Sequence, residues 1–184
     1  MFGMLNRVEP QVVWTSMNGS APFPLLDAAG NGLGLGCEAV FLSGRYPKYV
    51  KSTGLALEAT AALFFEGKSS ASASKRRIAY VPAVETLDDA LLEKIDGADT
   101  LLLDGTFWSD DELIRVQGSG ETAHQMGHIP VEESLRLLKN VKVGRRIYVH
   151  INNTNPILNE ASPEYRAVRA AGWEVAEDNW HLEL

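Results

Sequence analysis

Two apolar segments of the sequence end in side chains that commonly bind metal ions. The run Thr100-Leu-Leu-Leu-Asp-Gly-Thr106 ends in the carboxylate of Asp104, and the glycine after it lets the backbone turn. The run Ile147-Tyr-Val-His150 places three β-forming residues directly before the imidazole of His150. Each pattern predicts a buried strand that delivers its last side chain to the edge of a sheet. We therefore predict that Asp104 and His150 are metal ligands, because metal sites bring carboxylates and imidazoles together from different elements.

Both residues also have ordinary structural alternatives. Asp104 could be a helix N-cap or could accept a hydrogen bond within its own turn, and His150 could be a core histidine satisfied by a backbone carbonyl. The segment after His150 is rich in asparagine, whose side chains hold irregular loops through hydrogen bonds to the backbone. We predict that Asn152, Asn153 and Asn155 orient a substrate or support His150, although the turn alone would explain them.

The other three histidines differ in how well their contexts suit metal binding. His128 lies in Met126-Gly-His-Ile-Pro130, where the glycine permits an unusual backbone and the proline opens the next helix. The start of a helix disfavours a charged imidazole, so His128 suits a neutral donor or ligand. His124 lies four residues earlier, but the glycine between them and the lack of an acidic partner argue against a shared metal. His181 is predicted to be structural.

Other reactive side chains have simpler interpretations. The acidic run Asp110-Asp-Glu112 is predicted to be a solvated first turn of a helix. Cys37 lies in an apolar predicted strand, so we predict that it packs in the interior and does not act as a nucleophile. No serine has the context of a nucleophile elbow. The glycine-rich run Gly30-Asn-Gly-Leu-Gly-Leu-Gly36 does not meet the strict G-x-G-x-x-G spacing, and a strand-like segment follows it. We predict a loop in a β-rich region there, not a phosphate-binding loop.

Local patterns predict an α/β protein with mixed sheets, because short strands dominate the first half and strand–helix units the second. The predicted strands are Gln11–Thr15, Cys37–Leu42, strands between Leu55 and Phe65, Arg77–Val81, and Trp173–Ala176. The predicted helices are Thr86–Ile95 with Thr86 as N-cap, one that begins at Ser109 with a Ser109–Glu112 capping box, Val131 to Leu138, and one from the N-cap Ser162 to near Gly172.

Bulk properties exclude several classes of protein. The chain has 184 residues, a net charge of −7 and one cysteine, and its pI is near 5.1. The negative charge argues against nucleic acid or an anionic membrane surface as partner. One cysteine excludes an internal disulfide framework. The sequence contains no apolar run of about 18 residues, so it does not predict a transmembrane helix. We expect one domain spanning residues 1–184, with a cytoplasmic location.

Three segments together resemble the pyrroloquinoline quinone (PQQ) biosynthesis protein B family of the metallo-β-lactamase-like superfamily. They are Asp104-Gly-Thr-Phe-Trp-Ser-Asp-Asp-Glu-Leu, Met126-Gly-His-Ile-Pro and His150-Ile-Asn-Asn-Thr-Asn-Pro-Ile-Leu. The resemblance implies an αββα sandwich of two mixed sheets flanked by helices, with metal at one edge. It implies that Asp104 and His150 bind the metal, Fe(II) or alternatively zinc, and that His128 acts on the substrate.

The same resemblance implies an activity and its partners. The implied reaction is iron-dependent oxygenation of the tyrosine of a Glu-Tyr-derived PQQ precursor. The alternative is a non-catalytic carrier that helps PQQ or its precursor reach the periplasm. A carrier needs cations for the carboxylates of its ligand, and the arginines that could supply them are Arg45, Arg115, Arg145 and Arg146.

One departure from the family concerns the N-terminal half. Metal-binding members of the superfamily carry a His-rich turn there, and this chain has no histidine before His124. We therefore expect a partial sandwich that corresponds to the C-terminal portion of the fold. Half of such a sandwich exposes an apolar sheet face, so we expect a missing N-terminal half or a homo-oligomer to complete it. An inactive fragment is a further alternative.

Overall fold

A computed structural model describes residues 23–26, 32–41, 61–68 and 75–178. Seven strands in these ranges form one mixed sheet in which the spatial order follows the chain. The strands are β1 (Phe23–Leu26), β2 (Gly32–Phe41), β3 (Ala61–Lys68), β4 (Lys75–Val81), β5 (Ala98–Asp104), β6 (Val143–Val149) and β7 (Glu174–Val175). The predicted strand Gln11–Thr15, Arg45 and His181 lie outside the described residues.

The direction of the strands changes at β4. Strands β1 to β4 pair in antiparallel fashion, whereas β4 to β7 pair in parallel. Parallel neighbours require crossover connections, and helices supply them here. These helices are α1 (Asp89–Ile95), α2 (Glu112–Gln117), α3 (Ala123–Met126), α4 (Val131–Leu137) and α5 (Pro163–Ala170), with short 3-10 helices at Leu138–Asn140 and Pro156–Leu158. The predicted α/β class with mixed pairing is confirmed.

The core lies between the parallel strands and their crossover helices. Leu101 and Leu103 of β5 are fully buried, and Ile95 of α1 and Val168 of α5 belong to the same cluster. Tyr148 of β6 stacks on Trp173 with ring centroids 4.2 Å apart. Burying one large aliphatic side chain contributes about 1.5–3 kcal/mol, so this cluster holds the parallel strands and their ends in place. Within the described residues, no helix combines the length and apolar character that a membrane crossing requires.

The prediction of a loop at Gly30–Gly36 is wrong for most of its length. Strand β2 begins at Gly32 and pairs with β1 and β3 on either side. Ladder hydrogen bonds from two neighbours compensate for the weak strand preference of glycine. A strand, not a helix, follows the glycines, in agreement with our rejection of a phosphate-binding loop.

The first crossover helix begins later than its sequence predicted. The N-cap is Asp88, whose side chain accepts a hydrogen bond from the amide of Leu91, so the predicted N-cap Thr86 is wrong. Long-range hydrogen bonds explain the delay, because the amide of Val84 donates to Asp104 and its carbonyl accepts from the amide of Ile129. These bonds hold the chain at the edge of the sheet before helix α1 can begin.

Helix α2 also begins later than predicted. It starts at Glu112 after the N-cap Asp111, which makes no side-chain capping bond. The predicted capping box is wrong, because the Ser109 hydroxyl donates to Asp111 and the carboxylate of Glu112 accepts from the amide of Trp108. The last helix is predicted well: Ser162 caps it by accepting from the amide of Tyr165.

Candidate metal centre

The candidate site lies where three neighbouring parallel strands end. Strand β4 ends at Val81, β5 at Asp104 and β6 at Val149, and Asp104 pairs with Val149 across the ladder. Parallel strands present their carboxyl ends at one edge of a sheet, which is where open α/β sheets bind ligands. The predicted strand ends at Asp104 and His150 are thus confirmed as neighbours, with His150 directly after its strand.

The carboxylate of Asp104 is fully buried. Its Oδ1 atom accepts from the amide of Thr106 at 3.1 Å and from the Thr106 hydroxyl at 2.6 Å. Its Oδ2 atom accepts from the amide of Val84 at 3.0 Å and contacts Nδ1 of His128 at 2.8 Å. The hydrogen bond from the Thr106 amide is the contact within its own turn that was the structural alternative for Asp104. It is present together with the long-range contacts to Val84 and His128. Among the described residues, these partners include no lysine or arginine.

His128 packs beside this carboxylate. Its side chain is about one-tenth exposed, and it meets the ring of Phe107 edge-on with centroids 5.8 Å apart. Gly127 before it has a positive φ of 87°, the unusual backbone that the sequence predicted, and Pro130 stands at the N-cap position where helix α4 opens. In the metal-free chain an ionised carboxylate only accepts hydrogen bonds, so Nδ1 of His128 carries the proton. A metal ion bound by both residues would take the place of this proton, because Nε2 lies on the far side of the ring from Asp104.

His150 reaches the same place from β6 with a strained backbone. Its φ of 54° is the single positive value of a non-glycine residue within the described ranges. Its Nδ1 atom lies 2.7 Å from the carbonyl oxygen of Pro82 at the end of β4, and its side chain is exposed. A carbonyl only accepts, so Nδ1 of this ring also carries the proton and leaves Nε2 as the metal-binding atom. Strain of this kind persists where the surroundings hold it, and it is common at functional sites.

Asp104, His128 and His150 converge. One possible ligand atom from each residue lies within 4.8 Å of the others, and the two imidazole centroids are 5.4 Å apart. Two histidines and one carboxylate are the ligand set of non-haem Fe(II) oxygenases, and the same donors also suit zinc. The buried charge of Asp104 favours a cation, because burying a carboxylate without a counter-charge is costly. The exposed ring of His150 gives solvent access.

Thr106 explains how a carboxylate with four hydrogen bonds can still accept a metal. Its hydroxyl lies 2.6 Å from Oδ1 of Asp104 and 2.9 Å from the carbonyl oxygen of His150. One hydroxyl carries one proton, so it can satisfy one acceptor at a time. Rotation of the hydroxyl toward the His150 carbonyl opens a lone pair on Asp104 without leaving the hydroxyl proton unpaired. The three residues therefore fit a divalent metal ion.

The predicted asparagines fall into two groups. The side chain of Asn155 is buried; it donates to the carbonyl of Gly105 at 2.8 Å and accepts from the amide of Ile157. Asn152 donates from its backbone to the carbonyl of Thr106 and from its side chain to Thr154. These contacts fit support of the loop after His150, whereas Asn153 is exposed beside them.

Sequence reasoning missed two residues of this region. Thr106 stands two residues after Asp104, and a hydroxyl at that spacing was a local signal for a hydrogen-bonded turn. Glu112 is 3% exposed, so the predicted solvated acidic turn is wrong for this residue. Its partner Thr154 lies 42 positions away, and no local pattern indicates such a contact. Asp111 beside it is exposed, as predicted.

Three other residues that the sequence offered as ligand-binding candidates make contacts away from the cluster. His124 contacts Glu133 at 3.0 Å and does not belong to the three-residue cluster. Of the arginines that the carrier alternative requires, Arg145 forms an ion pair with Glu174 that raises the pKa of the guanidinium. Arg115 pairs with Asp111.

Comparisons with known proteins assign the family. A family model described as beta-lactamase superfamily domain matches residues 6–151. The solved structure of Zn(2+)-bound PqqB from Methylobacterium extorquens is similar with a TM-score of 0.71 and 36% identity, over 82% of this chain and 51% of that one. A diphosphatase of the PhnP family shares the fold with a TM-score of 0.51 at 18% identity, over 91% of this chain and 47% of that one. The chain belongs to the beta-lactamase superfamily, and the predicted metallo-β-lactamase fold is confirmed.

Within this superfamily, the specific similarity is to coenzyme PQQ synthesis protein B, as the three sequence segments predicted. The protein of that name from Methylobacterium radiotolerans is 47% identical over 115 residues, which is 61% of this chain and 38% of the relative. The one from Xanthomonas oryzae pv. oryzae is 39% identical over 114 residues, 60% of this chain and 38% of the relative. The chain thus spans well under two-thirds of the length of these relatives.

Proposed function

We propose that this chain carries a metal centre formed by Asp104, His128 and His150 and that it serves PQQ biosynthesis in the manner of protein B. The convergence of these three residues within 4.8 Å carries the proposal. The similarity to coenzyme PQQ synthesis protein B and to a zinc-bound relative supports it. Because the chain covers 38% of the first relative and 51% of the zinc-bound one, we propose that the activity requires an added N-terminal half or a second copy of the chain.

We propose Fe(II) as the working metal and oxygenation of the tyrosine of a Glu-Tyr-derived precursor as the reaction. Bound Fe(II) supplies redox chemistry with O2. In the balanced reaction a ring C–H becomes C–OH with one atom of O2, and an added reductant supplies two electrons that, with two protons, reduce the other atom to water. The protein's own part would be to hold the metal with one imidazole nitrogen each from His128 and His150 and one carboxylate oxygen of Asp104. Two imidazoles and one carboxylate leave open positions for the reactants.

The residues at the site also control protons. The carbonyl of Pro82 fixes the proton of the His150 imidazole on Nδ1, whereas Nδ1 of His128 faces the carboxylate of Asp104. The contact with Pro82 also fixes the plane of the His150 ring and leaves its Nε2 for the metal. His128 is packed against Phe107, whereas His150 is open to solvent. A substrate therefore approaches from the side of His150.

Metal content after anaerobic loading with Fe(II) tests the proposal. We expect a single iron ion per chain in the wild type, and a loss of iron of at least tenfold in His150→Ala, because one of three ligands is removed. His150 is exposed, so this variant should keep its circular dichroism spectrum. His124→Ala is the matched control, since its imidazole pairs with Glu133 outside the cluster. A wild-type chain that binds no iron or zinc, or equal iron in wild type and His150→Ala, contradicts the proposed centre.

The reaction has its own test. The chain, alone and together with the N-terminal half of a relative, is incubated with iron, reductant, isotope-labelled O2 and a tyrosine-containing precursor peptide. The proposal expects one labelled oxygen atom in the tyrosine ring by mass spectrometry, absent in His150→Ala. Unlabelled product throughout, in preparations that do bind iron, contradicts the oxygenation.

A further inference from the structure

Two loops meet beside the candidate metal centre. We define the aspartate loop as residues 105–111, which follow Asp104, and the histidine loop as residues 150–155. The amide of Asn152 donates to the carbonyl of Thr106 at 3.1 Å. The side chain of Asn155 donates to the carbonyl of Gly105 at 2.8 Å. The position of His150 relative to Asp104 therefore depends on how these loops are held together.

Glu112 adds a charged connection between them. Its Oε2 atom accepts from the amide of Trp108 in the aspartate loop at 2.6 Å. Its Oε1 atom accepts from the hydroxyl of Thr154 in the histidine loop at 2.6 Å, and that hydroxyl accepts in turn from Asn152. Hydrogen bonds to an ionised group are shorter and about twice as strong as neutral ones. The burial of Glu112 makes both bonds costly to lose.

The strain at His150 makes this connection relevant to the metal. A non-glycine residue with φ of 54° is stable only where its neighbours hold it, and the histidine loop begins at this residue. Without Glu112, the amide of Trp108 and the hydroxyl of Thr154 lose their partner. The histidine loop can then relax, and the imidazole of His150 moves relative to Asp104 and His128.

We propose that Glu112 is a positioning residue that clamps the aspartate loop to the histidine loop and thereby sets the affinity and geometry of the metal centre. This inference rests on the proposed function. Glu112 acts through Trp108 and Thr154 and is not a ligand. Partners of this kind around a metal site commonly change metal affinity by about 10–100-fold when they are removed.

Co(II) is a suitable probe because its absorption spectrum reports ligand geometry. We expect Glu112→Ala in the full chain to weaken Co(II) binding about 10–100-fold and to shift the absorption bands. Glu112→Gln should restore part of the affinity, since its amide oxygen can still accept from Trp108, whereas its amino group cannot accept from the Thr154 hydroxyl. Asp111→Asn is the matched control, because it removes the neighbouring charge, keeps an acceptor for the Ser109 hydroxyl, and changes a side chain that is 57% exposed. Unchanged affinity and spectrum in Glu112→Ala, or an equal loss in Asp111→Asn, overturns the proposal.

Thr154 provides a second test that does not depend on the folding of Glu112→Ala. Thr154→Val removes the hydroxyl donor and should reproduce the spectral shift, whereas Thr154→Ser keeps the donor and should restore the wild-type spectrum. Equal spectra for the valine and serine variants overturn the clamp.

A measurement on the metal-free chain separates this inference from the proposed function. The amide of Asn152 is held by Thr106 across the two loops, so its hydrogen exchange should rise at least tenfold in Glu112→Ala. Exchange at Leu102, in the middle of β5, should not change. If the wild type binds no metal, the proposed centre is wrong and the clamp is judged on exchange alone. An unchanged exchange rate at Asn152 then overturns the clamp itself.

Discussion

Replacing Asp104 by asparagine tests whether its carboxylate supports the fold as well as a metal. Four donors surround the carboxylate: the amides of Val84 and Thr106, the Thr106 hydroxyl and Nδ1 of His128. Asparagine has the same shape but one acceptor oxygen and one amino group. If the oxygen faces Thr106, the amino group meets the amide of Val84; in the other orientation it meets the amide of Thr106. Either way, one buried backbone N–H loses its partner.

The expected loss of stability follows from these contacts. A buried donor without a partner costs about 1–3 kcal/mol, and bonds to a charged group are worth about 1 kcal/mol more than neutral bonds. Two remaining bonds become neutral, which adds about 2 kcal/mol. The neutral side chain is easier to bury than the carboxylate, which offsets part of the loss. We expect a decrease of about 3 kcal/mol in the free energy of unfolding of the metal-free chain.

Urea denaturation with a chelator present measures this decrease. With a slope of about 2 kcal/mol per M, the midpoint of Asp104→Asn should fall by about 1.5 M. Asp111→Asn is the control, because this exposed acid should change stability by less than about 0.5 kcal/mol. A midpoint that falls by less than about 0.5 M in Asp104→Asn would refute the reasoning, since the four contacts would then contribute little. The substitution would then weaken metal binding without lowering the stability of the metal-free chain.

Two further predictions concern the sheet away from the site. An added Cβ at Gly144 would lie 2.5 Å from the carbonyl oxygen of Asp99, so Gly144→Ala should lower the free energy of unfolding by about 1–3 kcal/mol in urea, and an unchanged midpoint would contradict this. Hydrogen bonds from Arg145 lower the pKa of Glu174 in the folded state. The stabilisation by this pair is therefore fully present above the pKa that Glu174 has in the unfolded chain, and it is lost as pH falls through the lower pKa of the folded chain. Glu174→Gln should therefore reduce the fall in Tm between about pH 5 and about pH 3 by about 1–3 °C, and identical pH profiles would contradict it.

The sequence predicts the parts of the fold that local patterns control. The apolar runs before Asp104 and His150 predict two strand ends, and parallel pairing then brings those ends to one edge. Ser162 and the proline after it predict the start of the last helix because capping is a local interaction. At Thr86 the local capping preference does not decide where the helix begins, because hydrogen bonds of Val84 to distant residues keep the chain extended.

Glu112 shows why part of the site escapes sequence analysis. An acidic residue in the first turn of a helix is favoured by the helix dipole whether it is exposed or buried. What distinguishes Glu112 from Asp111 is the hydroxyl of Thr154, which reaches it only after the strands have paired. Asp111 and Glu112 carry the same charge in the same acidic run, so the sequence alone does not distinguish the buried side chain from the exposed one.

Strand β4 shapes the centre without contributing a side chain to the ligand set. Its end supplies the carbonyl of Pro82 to His150, and the amide of Val84 just beyond it reaches Asp104. Proline lacks a backbone N–H but keeps its carbonyl, so it can end the strand and still orient an imidazole. These groups belong to the backbone, and most side-chain substitutions at the two positions would preserve them. The orientation of the His150 imidazole and of the Asp104 carboxylate is thus a property of the parallel sheet, whereas the distance between the ligands depends on the loops that Glu112 joins.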